Sequence, residues 1–212
     1  MRSDDKQGVH REAAELAEVA VRLQTARDTG DLLTVSAELA QTFFACPFAG
    51  VATLGRASTL LDVAGPAAEL IRGEAAVPDS AWHQALAGNE PTVAGHPGSP
   101  DGQVTHVPLI PGRGRAVGVL SLYGAGAKLT YGRAFATHVA VAMESLRYQD
   151  KLHRSMDAHR VVSSSLGMLM ERYNIDAREA YDVLSGISLE HNVKLPEIAR
   201  RVIEDRNLPV TG

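Results

Sequence analysis

The stretch "VVSSSLGMLMERYNIDAREAYDVL", residues 161–184, decides how the chain is read. It runs as a helix, breaks at "YNID", and resumes as a helix. A helix that only fills a core has no use for three serines and a glycine, because a glycine inside a helix costs roughly 1 kcal/mol relative to alanine. The break itself is built: Asp176 and Glu179 make a D-x-x-E capping box at the start of the second helix. Ala180, Tyr181, Val183, Leu184 and Ile187 then form an apolar stripe, which places Tyr181 in the core. "HNVK" (191–194) interrupts the pattern, Pro196 stands where a first-turn proline belongs, and Ile198, Ala199, Val202 and Ile203 resume it. The spacing predicts a C-terminal three-helix module followed by a frayed tail, "NLPVTG" (207–212).

Working upstream, Phe135, Val139, Ala142, Leu146, Gln149, His153 and Met156 are spaced alternately by four and three residues, a heptad seam that turns polar in its middle. The helix is expected to continue to Tyr173. About 40 residues of helix span roughly 60 Å, too long for one small domain. The segment 133–158 therefore reads as a coiled-coil connector that pairs with a second copy of the chain. Its polar residues Gln149, Asp150 and His153 would keep that pairing marginal.

Before the connector the pattern changes. Residues 9–27 repeat apolar side chains at helical spacing, and a helix over about 32–44 follows with Asp31 as its cap. Five short Val- and Leu-rich segments come next: 48–54, 59–64, 91–95, 104–110 and 116–124. The turn "PGRGR" (111–115) predicts a hairpin between the last two. Short helices are expected at 67–71 and 79–88, with Gly88 as the stop. The fold class is α+β: an antiparallel sheet flanked by helices, a long helix and a helical module.

The bulk numbers exclude several classes. The net charge is −4, all of it in residues 1–150 (12 basic against 16 acidic), whereas 151–212 balance at 9 and 9. Neither part has the broad basic surface that announces nucleic-acid binding by charge alone. No run of about 18 apolar residues suggests a membrane span, and the N-terminus does not read as a secretory signal. Cys46 is the lone cysteine, reads as a small core residue, and fits a reducing cytoplasm. His83, His96 and His106 match no zinc spacing, and no catalytic constellation or cofactor motif stands out, so a regulator is expected and not an enzyme.

The segment "HRVVSSSLGMLMERYNIDAREAYDVLSGISLEHNVKLPEIARRVI" (159–203) resembles the ANTAR domain, the RNA-binding module of bacterial transcription antiterminators. The resemblance rests on Gly167, Leu169, Met170, Glu171 and Arg172, then Ala180, Tyr181 and Leu184, then Ser188, Asn192, Lys194, Leu195 and Ala199. Upstream, "CPFAGVATL", the helix near Trp82 and "VGVLSLYG" resemble a GAF sensor domain. The implied organisation is an N-terminal helix (1–30), a GAF-like domain (31–132), the connector (133–158), an ANTAR domain (159–206) and the tail. The resemblance implies a homodimer that binds tandem stem-loops in mRNA leaders, with a small-molecule ligand of unidentified kind in the GAF-like domain.

On that basis Ser164, Ser165 and Gly167 are expected to form a shallow face that RNA approaches closely; close helix packing at Gly167 is the alternative. Tyr173 is a candidate stacking ring, and Arg160, Arg172, Lys194 and Arg201 are candidate phosphate contacts. Arg201 can instead pair with Glu197, whereas Arg160 and Lys194 lack an opposite charge four residues away. The family usually carries Gln-Ala, then often Lys, where this chain has Ser164, Ser165 and Leu166. That departure favours a second reading, in which the ANTAR-like module serves protein–protein contact and not RNA.

Overall fold

The structure, a computed structural model, describes residues 3–55, 60–112, 114–124 and 130–204. The expected tail lies outside them, as does residue 113 of the expected turn. The chain divides into two compact units, residues 1–147 and 148–212.

In the first unit, β1 (Phe48–Leu54), β2 (Leu60–Ala64), β3 (Thr92–Gly95), β4 (Gln103–Leu109) and β5 (Gly118–Tyr123) form one sheet in the order β2-β1-β5-β4-β3. Every pairing is antiparallel. The expected hairpin is β4–β5, in register from Val104 opposite Tyr123 to Leu109 opposite Gly118. Successive side chains of a strand point to opposite faces, and here both faces are covered. Helices α1 (Ser3–Leu23) and α2 (Thr29–Phe44) lie on one face with the start of α5 (Gly132–Tyr173), where Leu33, Phe44, Leu120, Leu122 and Phe135 pack together. Helices α3 (Ala68–Ala75) and α4 (Ala81–Gly88) cover the other, where Ile71 and Trp82 meet Val119 and Tyr123. Burial on both sides explains why β5 is almost continuously apolar. Gly118 is needed where β5 crosses β1, because a Cβ there would sit 2.2 Å from the Ala52 carbonyl oxygen.

Two helix ends differ from expectation. Asp28 caps α2, its carboxylate accepting the Asp31 N–H at 2.8 Å, while Asp31 lies inside the helix and accepts the Arg27 N–H. Helix α4 includes Gly88, and Asn89 takes the left-handed position after it at φ 53°. Asparagine tolerates that conformation because its short amide does not crowd the backbone as a branched side chain would. Cys46 is buried, as a core residue should be.

The heptad reading needs correction. Phe135, Val139 and Ala142 are buried in the first unit's own core, and Leu146 packs against it. They are therefore unavailable for pairing. Gln149 and His153 are exposed, but the apolar side chains that point outward with them are Tyr148, Leu152 and Met156, each four residues after the last and 69%, 49% and 61% exposed.

The second unit comprises the remaining turns of α5 with α6 (Ala177–His191) and α7 (Leu195–Glu204). Leu169, Ala180, Leu184, Ile198 and Val202 form its core. Burying each leucine contributes on the order of 2 kcal/mol, and Leu166, Val183, Ile187 and Leu195 pack partly buried around this core. The capping box is present: Asp176 accepts the Arg178 and Glu179 N–H groups, and Glu179 reaches back to the Asp176 N–H at 2.9 Å. Asn192 ends α6 in the left-handed region, and Pro196 is the second residue of α7.

Candidate nucleic-acid interface

The face in question is set by helical geometry. At about 100° per residue, positions separated by three or four residues stack, so Arg160, Ser164, Gly167 and Glu171 share one side of α5. All four are exposed. The opposite side carries Ser165 and Leu169, both buried, Leu169 in the core with α6 and α7. Ser165 therefore does not belong to the face that sequence reasoning gave it. Its hydroxyl donates to the Val162 carbonyl at 2.8 Å, which satisfies a polar group that packing has turned inward. Ser163, which the sequence reading passed over, is exposed beside Ser164 and takes its place.

Gly167 is not a packing glycine. A Cβ built there meets nothing within 4 Å, so close helix contact within this unit does not explain it. With no side chain, it leaves its backbone open on the exposed face.

The cations divide. Arg160 has the partner that four-residue spacing missed, since Asp157 lies three residues before it at 3.8 Å. The pair is well exposed, and such pairs contribute little, so the guanidinium can exchange it for a phosphate at small cost. Lys194 is exposed at the start of α7, where its carbonyl accepts the Glu197 and Ile198 N–H groups and its ammonium pairs with no carboxylate among the described residues. Glu197 and Arg201 form no ion pair within 4 Å, and Arg201 is exposed. Arg172 is exposed in the last turn of α5, where the helix dipole favours a cation. The Tyr173 ring beside it is 40% exposed.

Tyr181 is the second correction. It is 48% exposed, not core. Ala180, one residue earlier, takes the buried position, and a step of 100° carries Tyr181 to the edge of the stripe. There it borders a shallow groove of about 300 Å³ lined also by Ser155, His159 and Val162 of α5 and by Leu195 and Pro196 of α7. His159 was likewise missed. The available signal was a tyrosine at the margin of a stripe, ahead of an N-terminal proline turn. Among the described residues no group of three His, Cys, Asp or Glu side chains is placed to hold a metal.

Residues 150–203 match the family model of the ANTAR domain. The first unit has the fold of GAF domains. A GAF domain from Pseudomonas syringae pv. tomato superposes with a TM-score of 0.53 at 17% identity, covering 73% of this chain and 99% of that one. The GAF domain of an Acinetobacter phosphoenolpyruvate-protein phosphotransferase gives 0.51 at 9% identity, over 66% and 98%. A bacteriophytochrome from R. palustris gives 0.54 at 10% identity, over 84% of this chain and 46% of that one. The chain has a GAF–ANTAR architecture. Among curated proteins none matches it by sequence. Within the ANTAR domain, the residues that carry the family pattern split by role: Leu169, Ala180, Leu184 and Ala199 build the core, while Gly167, Arg172, Tyr181 and Lys194 are exposed and do not. No described helix is long and apolar enough to cross a membrane.

Proposed function

We propose that this protein is a cytoplasmic regulator, not an enzyme, whose GAF unit senses a signal and whose ANTAR domain binds paired stem-loops in nascent mRNA. Holding that structure would prevent a competing terminator hairpin from forming. The observation that carries the reading is the exposed side of α5, where Arg160, Ser163, Ser164 and the open backbone of Gly167 stand together, opposite the side that Leu169 buries in the core. Hydroxyls and peptide groups read phosphates and splayed loop bases at close range, and they need no broad basic field. With a charge balance of zero in residues 151–212, a single domain binds weakly. Two domains in a homodimer gain affinity through effective concentration. Tyr148, Leu152 and Met156 supply an outward apolar strip for that pairing.

The test is a gel shift with a tandem stem-loop RNA and a single-loop control at two salt concentrations. Preference for the tandem RNA, weakened by salt and by Lys194→Ala, is the expected result. Equal, weak binding to both RNAs counts against the reading.

One observation favours a second reading, in which the ANTAR unit contacts a protein. Leu189 on α6 is 82% exposed, and Met170 and Tyr181 are also exposed. Binding of RNA with a steep salt dependence separates the two, because counterion release is the signature of phosphate contact.

A further inference from the structure

The GAF unit holds a polar cluster on the sheet face that α3 and α4 cover. His106 on β4 and Ser121 on β5 are direct cross-strand partners, and both are fully buried. The imidazole Nδ1 lies 2.9 Å from the Ser121 hydroxyl, which fixes the ring. Its Nε2 faces Glu74 in the last turn of α3, 2.6 Å from Oε2. The approach is short in distance but off the line that a hydrogen bond needs, so neither atom has a directed partner. Two lone pairs at that separation would repel, so Nε2 carries the hydrogen.

The second carboxylate oxygen, Oε1, is 3.3 Å from His96 Nε2 and accepts from the Tyr123 hydroxyl at 3.4 Å. His96 has its tautomer set by the turn after β3. Its Nδ1 accepts the Gly98 N–H at 3.0 Å, which leaves Nε2 as the donor. Burial, reinforced by the Glu74 carboxylate, pushes the Tyr123 pKa up, and the phenol stays a donor. Two imidazole N–H groups, from β4 and the turn after β3, and the hydrogen-bonded phenol of β5 thus surround one carboxylate, and the carboxylate belongs to a short helix outside the sheet.

Donors arranged in this way form a receptor for a carboxylate, and Glu74 is its tethered guest. We infer that the cluster of His106, Tyr123 and His96 is a binding site for a small carboxylate, which enters by displacing Glu74. The Glu74 side chain is 13% exposed and that of His96 19%, so the site reaches the surface at this edge. Displacement would release the end of α3 from the sheet. The Ser80 hydroxyl donates to the Glu74 carbonyl at 3.0 Å, so the release would pass to the start of α4. The inference rests on the sensor half of the proposed function and is independent of RNA binding.

Formate is the probe, against chloride at equal ionic strength. Glu74→Ala should melt lower than the intact protein, formate should raise its melting temperature saturably, and chloride should not. Adding His106→Ala should abolish the formate effect. In the intact protein the ring signals of His96 and His106 should shift with formate, at concentrations about tenfold or more above those needed in Glu74→Ala, because a tethered group competes at millimolar or higher effective concentration. Formate acting no differently from chloride on Glu74→Ala overturns the inference. So does an absence of ring-signal shifts in the intact protein at about a hundred times that millimolar scale, whether or not the variant folds. Neither measurement uses RNA, so failure here leaves the gel-shift test untouched.

Discussion

Gly167→Ala separates the stability of the ANTAR domain from its function. The glycine lies inside α5, and a Cβ added there meets nothing within 4 Å. Alanine therefore brings no clash and removes the entropic cost of ordering glycine in a helix, a gain of about 1 kcal/mol. In a unit as small as residues 148–212, that gain raises the melting temperature by about 4–8 °C. Trp82 is the single tryptophan and lies in the GAF unit, so its fluorescence follows that unit, and far-ultraviolet ellipticity reports the second transition. The new methyl also stands on the exposed side of α5, between Ser164 and Glu171. If RNA approaches that backbone, the variant is more stable yet binds the tandem stem-loop about tenfold more weakly, a loss of about 1.4 kcal/mol. A lower melting temperature would refute the packing argument, since it would mean that something fills the space beside Gly167. Higher stability with unchanged RNA affinity would refute the assignment of the face.

Ser165→Ala should leave RNA affinity unchanged and shift stability by no more than about 1 kcal/mol, because the hydroxyl serves only the local Val162 carbonyl; a gel shift and a urea titration check both. Asp176→Ala removes the side-chain half of the capping box, the carboxylate that accepts the Arg178 and Glu179 N–H groups, and should cost the ANTAR domain about 1 kcal/mol by the same titration. Burial pushes the Cys46 thiol from 9.0 up to about 11, so the folded protein binds a proton there that the unfolded chain has lost. Stability from this group is complete below pH 9.0 and drains away as pH rises to about 11, with a slope of up to about 1.4 kcal/mol per unit. Cys46→Ala should lack that difference in denaturant midpoints measured across the same range. Leu152→Asp puts a charge on the outward strip of α5 and should weaken self-association in sedimentation at least tenfold; an unchanged dissociation constant would remove this strip from the dimer.

Much of this architecture is legible because its causes are local. Five strands, the β4–β5 hairpin and the capping box each follow from spacing, turn residues or a side chain bonding its neighbouring backbone. Where the reading failed, two equivalent local solutions existed and packing chose between them. Asp28 and Asp31 can each start α2; Asp28 takes the cap, and Asp31 turns its carboxylate back to the Arg27 N–H. Ser164 and Ser165 are alike in sequence, but a step of 100° sends one to solvent and the other to the core. Tyr181 and Ala180 divide in the same way. The seam on α5 reads as one continuous stripe, although its first half is used by the GAF core.

The sequence by itself determined the element order, the two-part organisation and the ANTAR pattern, since periodicity and capping act within a few residues along the chain. Tertiary structure alone decided which side of each helix faces water, and it alone assembled the Glu74, His96, His106, Ser121 and Tyr123 cluster. Those five residues span positions 74 to 123 and share no local pattern. The sheet register brings His106 opposite Ser121, and the packing of α3 brings Glu74 over both, because polar groups buried with the apolar surface of that face must find partners there.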